Sequence, residues 1–294
     1  MSVSSPDFGV VFDIDGVLVR GGKALARARE MLLSLREHNV PHIFLTNNGG
    51  ERQCLEPNDA GAIMTTSCGA GVMEDVKAKQ IGEVLDLEID PAHMVLSHTP
   101  MRDLVEKYGD TRVTTATLAD RRVLLMGSSD VYNVARQYGF KKIVTVQDLV
   151  HHHPGQFAFK QYEHKVAPHD GEPIEAIITM HDPIDWGVEL QVAIDVLIGG
   201  DPPGSGRPDG SQTPLYVSND DFLFSSTYAH PRFAQGAFTI CLRELYKART
   251  GKELEVTRYG KPQESDPDHE PDVHADTVYE AILHIYKQHG LPPI

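Results

Sequence analysis

Short apolar runs separated by longer amphipathic stretches set the pattern of the chain. The runs are VVFDI from Val10, HIFLTN from His42, RVLLMG from Arg122, KKIVTV from Lys141, AIITM from Ala176 and PLYVSN from Pro214. Runs this short and this continuously apolar predict buried strands of a mostly parallel sheet. Between them, ALARAREMLLSLREHNV places Leu25, Ala28, Leu32 and Leu35 at helical spacing. QGAFTICLRELYKARTGKE, from Gln235, ends in a basic turn and Gly251, the signature of a helix stop. Strands alternating with helices predict an α/β chain. Three segments break the rhythm: ERQCLEPNDAGAIMTTSCGAG from Glu51, GGDPPGSGRPDGSQTP from Gly199 and QESDPDHEPD from Gln263. The first has no period, the second is expected to be a mobile Gly/Pro loop, and the third reads as a solvated acidic loop.

Composition narrows the picture. With 294 residues, 40% of them hydrophobic, the chain can bury a sizeable core, and two domains are expected. No apolar run approaches the roughly 20 residues that span a bilayer, so no transmembrane segment is expected. A net charge of −15 disfavours the backbone of a nucleic acid or an anionic membrane as a partner. Cys54, Cys68 and Cys241 form no metal-spaced cluster and are expected to be reduced thiols of an intracellular protein. The first strand begins within about ten residues of the start, so neither a secretory signal nor an Arg-rich transit peptide is expected.

The chemistry concentrates where the first run ends. In a parallel sheet, ligands bind beyond the carboxyl ends of the strands, where Asp13 and Asp15 fall. The residue between them faces the other way, so both carboxylates lie on one side, close enough to share a divalent cation. Gly16 then allows a tight turn beside a ligand. A purely structural role would need a basic partner for both buried acids. The alternative is a nucleophile that attacks phosphorus, beside a carboxylate that holds Mg²⁺ and handles a proton.

DIDGVL resembles the DxDG(T/V)L signature of the haloacid dehalogenase superfamily, whose members are mostly Mg²⁺-dependent phosphatases acting through an aspartyl-phosphate. The resemblance implies Asp13 as nucleophile and metal ligand, and Asp15 as general acid/base whose backbone also binds the metal. Thr46, ending HIFLTNNGG, matches the second motif, and Lys261 in TRYGKPQ matches the third. Thr46, Asn47 and Lys261 are thereby expected at the phosphoryl group. Further stretches, among them HDPIDWGVELQVAIDVLIGG and PLYVSNDDFLFSSTYAHPRFAQGAF, resemble the eukaryotic branch of subfamily IIA named after the cat eye syndrome critical region. That resemblance implies a Rossmann-like core at 1–89 and 216–294 and an inserted C2-type α/β cap at 90–215. It places Asn48, Asp182 and Asp185 toward the substrate. It also implies a small or lipid-related phosphorylated substrate, a link to glycerophospholipid metabolism and a mitochondrial setting, the alternative being a cytoplasmic one; a homodimer is a further expectation.

Two departures stand out. Residues 51–70 interrupt a segment that the family runs straight into a helix. The Gly-Glu-Arg and Gly-Ala-Gly at their borders can be encoded by splice-site-like sequences, so a retained in-frame intron is expected. After Lys261 the strand and acidic segment of the fourth motif do not follow, which implies a core lacking that strand. Asp266 is then the remaining candidate ligand, and an alternative reading is a catalytically impaired protein that binds a phosphorylated ligand or a partner. The run His151–His153 precedes Pro154 and reads as a loop without a metal role, since adjacent residues cannot all face one ion. The glycines from Gly199 lack a GK(S/T) and do not read as a nucleotide loop.

Overall fold

The computed structural model describes residues 6–47, 72–106, 117–128, 131–224, 228–261 and 274–292. The described residues divide into two compact units, one comprising 6–47, 72–96 and 274–292, the other those between Ser97 and Lys261.

The first unit begins with β1 (Val10–Phe12), followed by a hairpin of β2 (Val19–Arg20) and β3 (Lys23–Ala24). Its two-residue turn, Gly21–Gly22, has positive φ at both positions, the conformation that twists a tight hairpin correctly. Helix α1 (Ala28–Glu37) buries Ala28, Met31, Leu32 and Leu35, spaced i, i+3, i+4 and i+7 along one face. Strand β4 (His42–Thr46), helix α2 (Glu74–Leu85) and strand β5 (Met94–Leu96) follow. The strands form a parallel sheet in the order β1–β4–β5, with Phe12 opposite Phe44 and Thr46 opposite Leu96. The carboxyl ends of β1 and β4 are therefore neighbours. Val11 is 58% exposed, so β1, expected to be buried on both faces, is covered on one face only among the described residues, where it is the outer strand.

The second unit contains α3 (Asp103–Glu106), β6 (Arg122–Met126), α4 (Val131–Tyr138), β7 (Lys142–Thr145), α5 (Val146–His152), β8 (Ile174–Thr179), α6 (Trp186–Ile198) and β9 (Leu215–Val217). A hairpin of β10 (Leu223–Phe224) and β11 (Arg232–Phe233), helix α7 (Gln235–Thr250) and strand β12 (Thr257–Arg258) complete it. Five parallel strands run in the order β12–β9–β8–β6–β7. All five residues of β6 are buried, and Leu124, Ile177, Val192, Leu197, Phe238 and Leu242 belong to one core. Helix α7 ends at Gly251 in the left-handed conformation, as its sequence predicts.

Helix α8 (Val278–Gln288) returns to the first unit, where Ile282 and Tyr286 join the core around α1.

Three expectations change. The first unit continues to Leu96 instead of ending at 89, because β5 pairs with β4. The second continues to Lys261 instead of 215, because β9 and β12 extend its sheet and α7 packs in its core. His151 and His152 are helical and His153 caps that helix, where a loop was expected. The cause is the Thr145–Asp148 capping box: the Thr145 hydroxyl takes the Asp148 N–H at 3.2 Å, and the Asp148 carboxylate takes the Thr145 N–H at 2.8 Å. Among the described residues no helix is long and apolar enough to cross a membrane.

Candidate active site

At the end of β1 the chain leaves the sheet with its side chains alternating. Ile14 is fully buried in the core, whereas Asp13 is half-buried and Asp15 exposed on the opposite side. The Asp13 Oδ1 accepts the Ile14 N–H at 2.8 Å, which fixes the carboxyl group at the strand end. Gly16 has φ +85° and its N–H reaches the Val19 carbonyl at 2.7 Å, so the chain turns back at once. A side chain there would be strained by that φ. On the adjacent strand, Thr46 is 1% exposed and donates its hydroxyl to Asp15 Oδ2 at 3.4 Å. Asn47 follows, buried at the same edge. Asp13, Asp15, Thr46 and Asn47 thus meet at the carboxyl edge of one sheet. Asn48 and Asp266 lie outside the described residues, as do Cys54 and Cys68.

Lys261 belongs to the second unit, half-buried three residues beyond β12. It stands at the carboxyl side of that unit's own sheet, where Asp182 and Asn219 follow β8 and β9. Strand order there reverses between β6 and β8, since β6 leads outward to β7 and β8 leads the other way to β9. Such switch points form crevices at the carboxyl ends of the strands. Ser128, after β6, and His181 and Asp182, after β8, line this one. Among the described residues, the Ser128 hydroxyl, His181 Nδ1 and Asp182 Oδ1 are buried without a hydrogen-bond partner. Burial pushes the Asp182 carboxyl up, against the pull of His181 and a backbone bond from Gln235, and it pushes the His181 imidazole down. Asp185 is exposed at the N-terminus of α6 and makes no side-chain cap bond. Asn219 holds a local turn through its side chain, which accepts the Asp221 N–H at 3.2 Å. The sequence reading missed Ser128 and His181. Their only signal was the strand order, which no linear pattern carries.

Beside this edge, Glu189 in the first turn of α6 is 7% exposed, its Oε2 is unpaired, and burial raises its pKa from 4.5 to about 7. A raised carboxylate pKa means that the folded state holds a proton the unfolded chain has lost. The contribution of Glu189 to stability is therefore most favourable below pH 4.5 and declines as pH rises to about 7, by on the order of 3 kcal/mol. Glu189→Gln is expected to flatten this decline and raise the thermal midpoint at pH 8, measured by calorimetry across pH 4–8.

The haloacid dehalogenase-like hydrolase family is matched over residues 10–56, the segment that carries Asp13, Asp15 and Thr46. A mitochondrial hydrolase of Saccharomyces cerevisiae is 29% identical over 274 residues, covering 88% of this chain and 68% of the yeast protein. A cardiolipin synthase (CMP-forming)/mitochondrial hydrolase fusion protein of Schizosaccharomyces pombe is 32% identical over 279 residues, 89% of this chain; the chain spans 40% of that fusion protein. The solved 4-nitrophenylphosphatase of Thermotoga maritima shares the fold, with a TM-score of 0.51 and 14% identity over 96% of this chain and 74% of that one. The segment that bears Asp13, Asp15 and Thr46 is thus similar to the haloacid dehalogenase-like hydrolases, and the chain shares the fold of the solved phosphatase.

Proposed function

We propose that the protein is a Mg²⁺-dependent phosphomonoester phosphatase acting through an aspartyl-phosphate. One observation carries the reading: two carboxylates leave β1 on the same side, next to the buried hydroxyl that ends the neighbouring strand, with Thr46 Oγ1 at 3.4 Å from Asp15. Two carboxylates and a hydroxyl suit Mg²⁺, which takes one or two protein carboxylates and fills its shell with water and phosphate oxygens. Asp13 and the Asp15 backbone would hold it, and Asp266 is the proposed further ligand. When bound, the ion would offset charge on the phosphoryl oxygens.

The Asp13 carboxylate attacks phosphorus in line with the ester oxygen. As the P–O bond to the leaving group breaks, Asp15 gives that oxygen its proton. Asp15, now ionised, takes a proton from water as the water attacks the aspartyl-phosphate, and Asp13 departs as carboxylate. Thr46 and Asn47 bind phosphoryl oxygens, and Lys261 offsets their charge. Asn48, Asp182 and Asp185 face the substrate. The names of the two yeast relatives support a mitochondrial setting, and the synthase fused to one of them supports a substrate related to glycerophospholipids. Assignment to the cat eye syndrome branch and a homodimeric state are part of the same reading.

The test is release of phosphate from 4-nitrophenyl phosphate by the purified full chain, with and without Mg²⁺. Mg²⁺-dependent turnover is expected. A second reading, ligand binding without turnover, is favoured by the absence of a fourth-motif pattern after Lys261 in the sequence. It gains if turnover is absent while phosphate raises the thermal midpoint of Asp13→Asn without Mg²⁺.

A further inference from the structure

Two motifs left without a role by the catalytic reading, the histidine run and the Gly/Pro loop, converge in the second unit. Opposite the edge that holds Asp182, at the amino-terminal ends of β6 and β8, a cavity of about 440 Å³ is lined by the basic groups of Arg122, His152, His153 and Arg207, by the carboxylates of Asp170, Glu172 and Asp201, and by apolar walls that include Leu149 and Val196. Its volume lies in the range of small-molecule sites.

The defining group is Arg122, the first residue of β6, which is 6% exposed. Its Nη1 donates to the Glu172 carbonyl at 2.9 Å, while Nε and Nη2 have no acceptor. Those two nitrogens form the forked edge of a guanidinium, the edge that binds a carboxylate or phosphate with two parallel hydrogen bonds. Among the described residues no carboxylate pairs with this guanidinium within 4 Å. Burying a cation unpaired is costly, so an acceptor supplied from outside would be bound strongly.

The acidic neighbours are engaged or exposed, Asp148 through its capping bonds with Thr145. Both Glu172 oxygens accept Lys142 Nζ, at 2.8 and 2.6 Å, and Asp170 pairs with His152 Nε2 at 3.1 Å. Asp201 is exposed. The negative end of α6, which points toward the cavity, is also covered. Thr213 donates its hydroxyl to the Val196 carbonyl at 2.8 Å and its N–H to the Leu197 carbonyl at 3.1 Å, and the loop N–H groups of Gly204 and Gly206 reach the Gly199 carbonyl. Arg207 leans over the same turn, held by the Thr213 hydroxyl at 3.0 Å.

We propose that this cavity binds a small organic anion, with its carboxylate or phosphate head on the open edge of Arg122 and its apolar body against Leu149 and Val196. The site is built from residues of the second unit alone and does not rest on the phosphatase reading.

The test uses the full-length protein with Mg²⁺ chelated, titrated with hexanoate and with inorganic phosphate, and followed by amide NMR shifts. Saturable shifts are expected at His152–His153 and Gly199–Arg207, and they should persist in Asp13→Asn. The probe with the lower dissociation constant identifies the head group. Arg122→Gln is expected to weaken binding about tenfold or more. If that variant does not fold, Arg207→Gln, at a half-buried position, should weaken binding by several-fold. Shifts confined to the surroundings of Asp13 and Thr46, an absence of saturable shifts from both probes, or affinities unchanged in the folded arginine variants would overturn the proposal.

Discussion

Asp13→Asn is expected to abolish phosphate release from 4-nitrophenyl phosphate, to below about one part in 10³ of the parent rate, while leaving the fold intact. The fold should survive because the asparagine side-chain carbonyl can still accept the Ile14 N–H that Asp13 Oδ1 now takes at 2.8 Å. Activity should not survive, because an amide is a poor nucleophile toward phosphorus. Asp15→Asn separates the two roles. Its rate should fall by roughly 10²–10⁴, and it should still release about one equivalent of 4-nitrophenolate in a burst. That leaving group needs little protonation, whereas hydrolysis of the aspartyl-phosphate needs the base. Rapid-quench measurement of both products distinguishes the variants. A burst in Asp13→Asn, or steady turnover in Asp15→Asn equal to the parent, would contradict the assigned roles.

Tyr286→Ala is the substitution expected to cost the most stability, about 3–5 kcal/mol by analogy with other buried aromatic truncations. Tyr286 is 1% exposed, stands edge-on to His38 with ring centroids 5.5 Å apart, and its hydroxyl lies 3.0 Å from the buried Ser34 Oγ. Truncation would open a void between α8 and α1 and remove the nearer of the two side-chain partners of the Ser34 hydroxyl. Tyr286→Phe keeps the ring and should cost only about 1 kcal/mol. Urea unfolding of the three proteins, with the midpoint and slope fitted together, measures both values. A truncation cost below that of the phenylalanine variant would show that α8 contributes little to this core.

The strands most legible in the sequence were those whose burial is most complete. RVLLM and IEAIIT occupy the middle of the second sheet, covered on both faces, and therefore read as continuous apolar runs. Met94–Leu96 and Thr257–Arg258 are three and two residues long and lie at sheet edges, where apolar pattern carries little weight. The catalytic pair was legible for a different reason: Asp13 and Asp15 sit next to the strand that positions them, so their spacing already encodes their common side. Ser128 and His181 come from strands separated in sequence by β7 and α5, and only the strand order brings them to one crevice. The boundary expected at 215 came from family resemblance, whereas the contacts of β9, α7 and β12 are set by sheet pairing and by the packing of Phe238 and Leu242. The histidine run was misplaced because its helix is started by Thr145 and Asp148, several residues before the histidines.

The division of the chain also bears on how it is made. The second unit is drawn almost entirely from one stretch, Ser97–Lys261, whereas the first needs α8 from beyond it to complete the core around α1. During synthesis, every strand of the inserted unit is polymerised before Ile282 and Tyr286. Domains fold as units as they emerge. The later-encoded sheet can therefore reach its native state first, while Asp13 and Asp15, made before it, wait for α8 before their supporting core is closed.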